Sequence, residues 1–316
     1  MGPAHDHLHA GHATSTVAGR SERREARLRL VLGLNAAIVI VQVAAGLIAH
    51  SIGLLSDAGH NLSDVAAVVV SLVAVRLARR PATPTRSYGW HRSTILAAQA
   101  NAAALLVVTA AIVFESVRRL LHPVPVRGGL VIVIALVALL VNSGSALLLR
   151  DHGHDLNMRS ALLHMIGDAL ASAGVAVAGI LIVVTGGNYW LDPLSSLAIA
   201  VLIGIEAARL LKETTDVLLE STPDGLDLEA MAAAMHAVPG VDEVHDLHAW
   251  TLSSEMVALS AHLVMEGHPT LEQAQATGNL VRSVLSNDFA IGHATLELEC
   301  ETCVPELGDP CAIEEH

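Results

Sequence analysis

The chain has 316 residues, of which 53% are hydrophobic, and a formal net charge of −13. So apolar a composition excludes an ordinary soluble domain and points to a membrane protein with room for one small soluble domain. Residues 1–212 hold 17 of the 18 Lys and Arg and are net +6, while residues 213–316 keep only Arg282 and are net −19; an acidic domain therefore follows a membrane domain with basic loops, and nucleic acid is excluded as a partner because its phosphates would be repelled.

In chain order, an arm over residues 1–27 comes first. Its His5, His7, His9 and His12 read either as a weak zinc collector or as incidental histidines of a disordered tail. Six apolar stretches then follow within residues 28–212: Leu28–Ala49, Leu54–Ala78, Thr94–Val117, Leu130–Leu149, Ala161–Val184 and Leu191–Leu211. Each is long enough to cross a bilayer as a helix, which takes about 20 residues. The first is too long for a signal peptide, and the basic run before it suits the flank of a retained anchor. Fourteen Lys and Arg fall in the arm, in the second and fourth connections and at the end of the sixth stretch, against Arg118, Arg119 and Arg127 on the other side. Basic loops stay in the cytoplasm, so both termini are expected there. The expected location is a bacterial cytoplasmic membrane. Asn35, Gln42, Asn101 and Asn142 are expected to hydrogen-bond between helices.

After Lys212 the pattern changes to an acidic domain over residues 213–300. A helix over Leu226–Val238 is stopped by Pro239 and Gly240. Strands are predicted over Val241–Thr251 and Met256–Met265, around a turn at Ser253 and Ser254. A second helix capped by Thr270 runs to about Ser286, and a third strand covers His293–Glu299. This α-β-β-α-β order suits a small α+β domain with helices on one face of an antiparallel sheet. A tail over residues 301–316 carries Cys303 and Cys311; with Cys300 they make an odd number and no disulfide framework.

The chemistry lies in two spans. The second contains His60 and Asp64, the fifth His164 and Asp168, both as H-x-x-x-D. Residues i and i+4 share one helix face, so each helix offers an imidazole and a carboxylate at one place. Ionisable groups inside a span are costly and need compensation. One such pair reads as an ordinary helix contact. Two identical pairs supply two nitrogens and two oxygens, a tetrahedral set suited to zinc and also to cobalt or cadmium. Zinc requires neutral imidazoles and ionised carboxylates, so protons are the expected counter-ion. Asp57 either orients His60 or begins the second helix, the latter being favoured. His152 and His154 either pass metal inward or are ordinary loop residues. Cys300 and Cys303 form half of a zinc site, which Cys311 or a histidine of the arm would complete.

On these residues the chain resembles a zinc-type member of the cation diffusion facilitator family. The stretches that carry the resemblance are Leu55 to Asp64 (LSDAGHNLSD) and Leu163 to Asp168 (LHMIGD), with support from Arg80 to Pro84, Tyr88-Gly89 and Val244 to Trp250. The resemblance covers roughly residues 25–300. It implies an all-α membrane domain of six helices followed by a cytoplasmic α+β ferredoxin-like domain, a homodimer in the lipid bilayer, alternating access, and exchange of a divalent metal ion for protons. His60 fits the family's pattern for zinc. Similar domains bind zinc with residues matching His245, His262 and Glu299, and Glu297 stands where a histidine is common; the same residues also read as solvated strand positions. His91 matches a variable cytoplasmic loop site only weakly. Rival readings are a membrane zinc sensor without flux and an intramembrane zinc hydrolase; the latter lacks H-E-x-x-H and would need an open coordination position.

Overall fold

The computed structural model describes residues 32–150, 156–253 and 256–301. Six long helices come first: α1 (Leu32–Ala49), then α2 (Ile52–Ala78), α3 (Ser93–Leu121), α4 (Gly128–Arg150), α5 (Leu156–Thr185) and α6 (Leu191–Leu218). All six are long and apolar enough to cross a membrane. Large side chains such as Val107, Phe114, Leu140 and Val184 point outward. Water would not tolerate such a surface; hydrocarbon does, because a helix satisfies its own backbone. The helix α6 outruns its expected end at Leu211. Hydropathy marks where lipid stops, whereas the helix continues through a polar turn in which Lys212 pairs with Asp216 at 2.6 Å.

The described residues up to Val70 together with those of Asn101–Arg209 form one compact unit. Its core joins Ala45 and Ala49 of α1, Leu54 of α2, Val131 and Ala135 of α4, Val175 of α5, and Ile199 and Ile203 of α6. The helices α4 and α5 approach closely at Gly179, where a Cβ would meet Ile132 Cγ1 at 3.0 Å and Val131 Cγ1 at 3.1 Å. Small residues at helix contacts in membranes serve this purpose.

The start of α2 is capped from another helix. The chain turns at His50, with φ of 56°. The buried Asp192 carboxylate on α6 then accepts from Ser51 Oγ, from Ile52 N at 2.7 Å and from Gly53 N at 3.3 Å. These are the backbone donors a helix start leaves unpaired. Asp192→Ala is expected to cost about 1–2 kcal/mol, as loss of an N-cap does, and Asp192→Asn less, since its amide oxygen still accepts. Thermal unfolding in detergent measures both.

Ser71–Ala100 and the described residues from Leu210 onward form the second unit. Arg92 donates to Glu220 at 2.7 Å, and Tyr88 meets the His293 ring edge-on. Its sheet has the order β1 (Val241–Ser253), β2 (Met256–Met265), β3 (His293–Glu299). α7 (Leu228–His236) is capped by Asp227, and α8 (Leu271–Phe289) by a Thr270–Gln273 capping box. Met231, Met235, Val281 and Leu285 of these helices pack on Leu259, Leu263 and Met265 of β2. The sheet is mixed rather than antiparallel as expected: β1 and β2 are antiparallel, but β3 runs parallel to β2. The cause is α8, since a helical crossover returns the chain to its starting end.

Candidate metal centre

Two helices bring the four intramembrane groups together. His60 Nε2 lies 3.2 Å from Asp168 Oδ1, and His164 Nε2 lies 3.2 Å from Asp64 Oδ2. Within each helix the imidazole and carboxylate are 3.7 Å apart. Each imidazole thus faces the carboxylate of the other helix more closely than its own. This follows if α2 and α5 run antiparallel, so that His60 is level with Asp168 and Asp64 with His164. One ligand atom from each residue falls in a group whose members all lie within 4.8 Å of one another. Among the described residues, Asp64 Oδ2 and Asp168 Oδ2 are nevertheless buried without a hydrogen bond. Lone pairs that converge without hydrogen-bonding each other are what a cation would satisfy.

Exposure is uneven around this square. Asp64 and His164 are 32% and 39% exposed, His60 and Asp168 only 11% and 2%. The more open pair lies toward the end where α2 finishes and α5 begins. His60, His164 and Asp168 border a cavity of about 620 Å³ between α2, α5 and α6. Gly167 and Gly174 on its wall have open space where a Cβ would stand.

Asp57 fits neither role expected of it. It lies within α2 rather than at its start, and it makes no hydrogen bond to His60, whose buried Nδ1 has no hydrogen-bond partner among the described residues. Instead its fully buried Oδ2 accepts from Gln42 of α1 and from Ser172 of α5, the latter at 2.9 Å. Asn61 in turn donates to Gln42 Oε1 at 3.4 Å. This polar cluster ties three helices beside the four candidate groups, as interhelical hydrogen bonds do in membranes. Asn35 donates weakly to Met165 Sδ at 4.0 Å, while the buried Asn142 amide finds no partner among the described residues, contrary to expectation.

The second unit gathers another cluster. Alternation along the strands sends Leu296 and Leu298 toward the helices and Glu297 and Glu299 to the other face. Register sets His245 opposite His262, and His262 opposite Glu297. His245 Nε2 is 3.0 Å from Glu299 Oε2, and His262 Nδ1 is 2.8 Å from Glu299 Oε1, without hydrogen-bond geometry at that nitrogen. These three residues could hold a metal ion. Glu297 stands 3.6 Å from His262. Asp246 also joins: a bulge with φ of 48° turns its carboxylate to within 2.9 Å of His248 and 3.5 Å of His262. Sequence reasoning missed Asp246 because strand alternation gives no sign of a bulge. Cys300 is a free, exposed thiol outside the cluster. His91 joins no cluster among the described residues. The arm histidines, His152, His154, Cys303 and Cys311 lie outside the described residues.

Known proteins resemble this chain in both of its parts. Residues 28–219 match the family model for the cation efflux transmembrane domain, and residues 223–301 that for the cation efflux protein cytoplasmic domain. The zinc transporter ZitB of Escherichia coli (strain K12) is 36% identical over 99% of this chain and 96% of its own length. The metal cation efflux system protein CzcD of Cupriavidus metallidurans is 34% identical over 96% of this chain and 92% of its own. The cadmium, cobalt and zinc/H(+)-K(+) antiporter of Bacillus subtilis (strain 168) is 33% identical over 83% and 85%. The chain therefore belongs to the cation diffusion facilitator family, as an integral membrane metal cation efflux transporter and not an enzyme.

Proposed function

We propose that this chain exports zinc from the cytoplasm in exchange for protons, with His60, Asp64, His164 and Asp168 as the four ligands of the transported ion. The observation that carries this reading is the pairing of each imidazole with the carboxylate of the other helix, leaving buried oxygens that no hydrogen bond among the described residues satisfies. Two nitrogens and two oxygens at tetrahedral reach suit zinc, and two carboxylates balance its charge. Zinc as the substrate and protons as the counter-ion also accord with the names of the relatives.

The six-span domain over residues 28–212 carries the ion, and the acidic domain over residues 213–300 pairs two copies in a bacterial cytoplasmic membrane. With basic loops inside, the open Asp64–His164 edge faces the cytoplasm, so this conformer receives the ion from there. Purified protein in liposomes tests the exchange. An opposing pH gradient should drive zinc movement, and its collapse should stop that movement; zinc flux indifferent to the gradient would exclude the exchange.

His245, His262 and Glu299 form the second zinc site of this reading, one that senses cytoplasmic zinc. The residues suit the ion, since two imidazoles and a carboxylate converge and one buried nitrogen lacks a hydrogen bond. His262→Ala is expected to remove one zinc equivalent per chain in equilibrium dialysis while the four-ligand centre still binds. Unchanged stoichiometry would mean that these strand residues are merely solvated.

A further inference from the structure

Glu206 is an acid inside the sixth span that the four-ligand centre does not use. It lies about 8 Å inside Leu211, where the apolar stretch of α6 ends, counting 1.5 Å per residue. An unpaired carboxylate at such depth is a functional candidate. Arg209 follows one turn later, at the spacing of an ion pair, yet among the described residues Glu206 has neither an ion pair nor a hydrogen bond. It lines the same cavity as His60, His164 and Asp168.

Its level in the membrane follows from a packing contact. A Cβ on Gly53 of α2 would lie 3.2 Å from Ser195 Oγ of α6 and 3.5 Å from Val175 Cγ1 of α5. Eleven residues inward from Gly53, Val175 and Ser195 stand Asp64, His164 and Glu206. All three therefore reach one level, about 16 Å from the shared contact at 1.5 Å per residue. That level holds the open edge of the ligand square. Glu206 is not among the atoms gathered within 4.8 Å, so it stands beside the square and outside it.

We propose that Glu206 is a loading carboxylate: it holds a hydrated divalent cation in the cavity and passes it to Asp64 and His164. The proposal rests on the reading of the four-ligand centre as the transport site. In a loaded centre, two carboxylates neutralise the dication and two imidazoles stay neutral, so Glu206 is the remaining negative charge on the cavity wall. A charge of one sign in an apolar-walled cleft concentrates its counter-ion and speeds capture by about 10-fold or more. Glu206 is thus a positioning residue for the incoming ion rather than a ligand of the bound one.

The test is initial zinc flux into liposomes against zinc concentration, with full-length wild type, Glu206→Gln, Glu206→Asp and Asp168→Ala. Glu206→Gln should lower kcat/KM about 10-fold through KM at low ionic strength, with kcat little changed. Glu206→Asp should restore most of the loss, and added salt should shrink the difference, since exposed charges are screened. A Glu206→Gln protein with unchanged kcat/KM overturns the proposal, as does a deficit shared equally by the Asp variant or insensitive to salt. Should Glu206→Gln fold poorly, Glu206→Ser carries the same expectation. The reading of the four-ligand centre fails separately, if Asp168→Ala retains flux.

Discussion

Replacing Asp168 with alanine is expected to cut zinc flux at least about 100-fold, the larger figure for losing a mere outer partner of a metal ligand. Asp168 is the most buried of the four groups, and its two oxygens face both imidazoles, at 3.2 Å and 3.7 Å. Without it the loaded centre keeps one carboxylate and carries net positive charge inside the membrane, where an unpaired charge is costly. Asp64→Ala should be milder. Asp64 sits on the open edge, where water can take the vacated position, as it does at a zinc centre with three protein ligands. Zinc binding to the detergent-solubilised variants, with flux in liposomes, gives the order wild type, Asp64→Ala, Asp168→Ala. Flux within about twofold of wild type in Asp168→Ala would end the assignment. Asp57→Asn is the control, because its amide oxygen still accepts from Ser172 and Gln42 and no ligand is lost.

Zinc affinity is expected to fall steeply with acid. A protonated imidazole cannot bind a metal ion, so His60 and His164 must each be neutral to serve as ligands. Wherever both imidazoles are protonated in the empty centre, each contributes a factor of about 10 per pH unit, and the pair about 100. Competition titrations at several pH values measure the slope, and calorimetry in buffers of different ionisation enthalpy counts the protons released. A slope near zero would contradict ligation by the two imidazoles. On the proposed exchange, this slope is what would let acid outside empty a centre that neutral cytoplasm fills.

Much of this was legible in the sequence, and the parts that were not have a common cause. Bilayer thickness sets a length of apolar chain, so six spans could be counted. Helical rise places His60 with Asp64, and His164 with Asp168, on single faces before any helix has a neighbour. Strand alternation likewise put Glu297 and Glu299 on one face. Glu206, by contrast, lay near the expected end of a span beside Arg209, where an acid reads as an interfacial ion pair. Asp57 looked like a helix start because an apolar run does not show that its helix begins five residues earlier, capped by Asp192.

The sequence by itself determined the number of spans, the order of elements in the acidic domain and the two i,i+4 pairs, since each depends on local repeat distances of the backbone. Only the tertiary structure decided that each imidazole faces the opposite helix, that Glu206 stands level with the open edge, that Asp57 serves Gln42 and Ser172, and that β3 lies parallel to β2. Those outcomes depend on how far one helix slides and rotates against another, which is set by contacts such as Gly53 with Val175 and Ser195 between residues more than a hundred positions apart. No local repeat carries that information, because close packing is a property of the partners together.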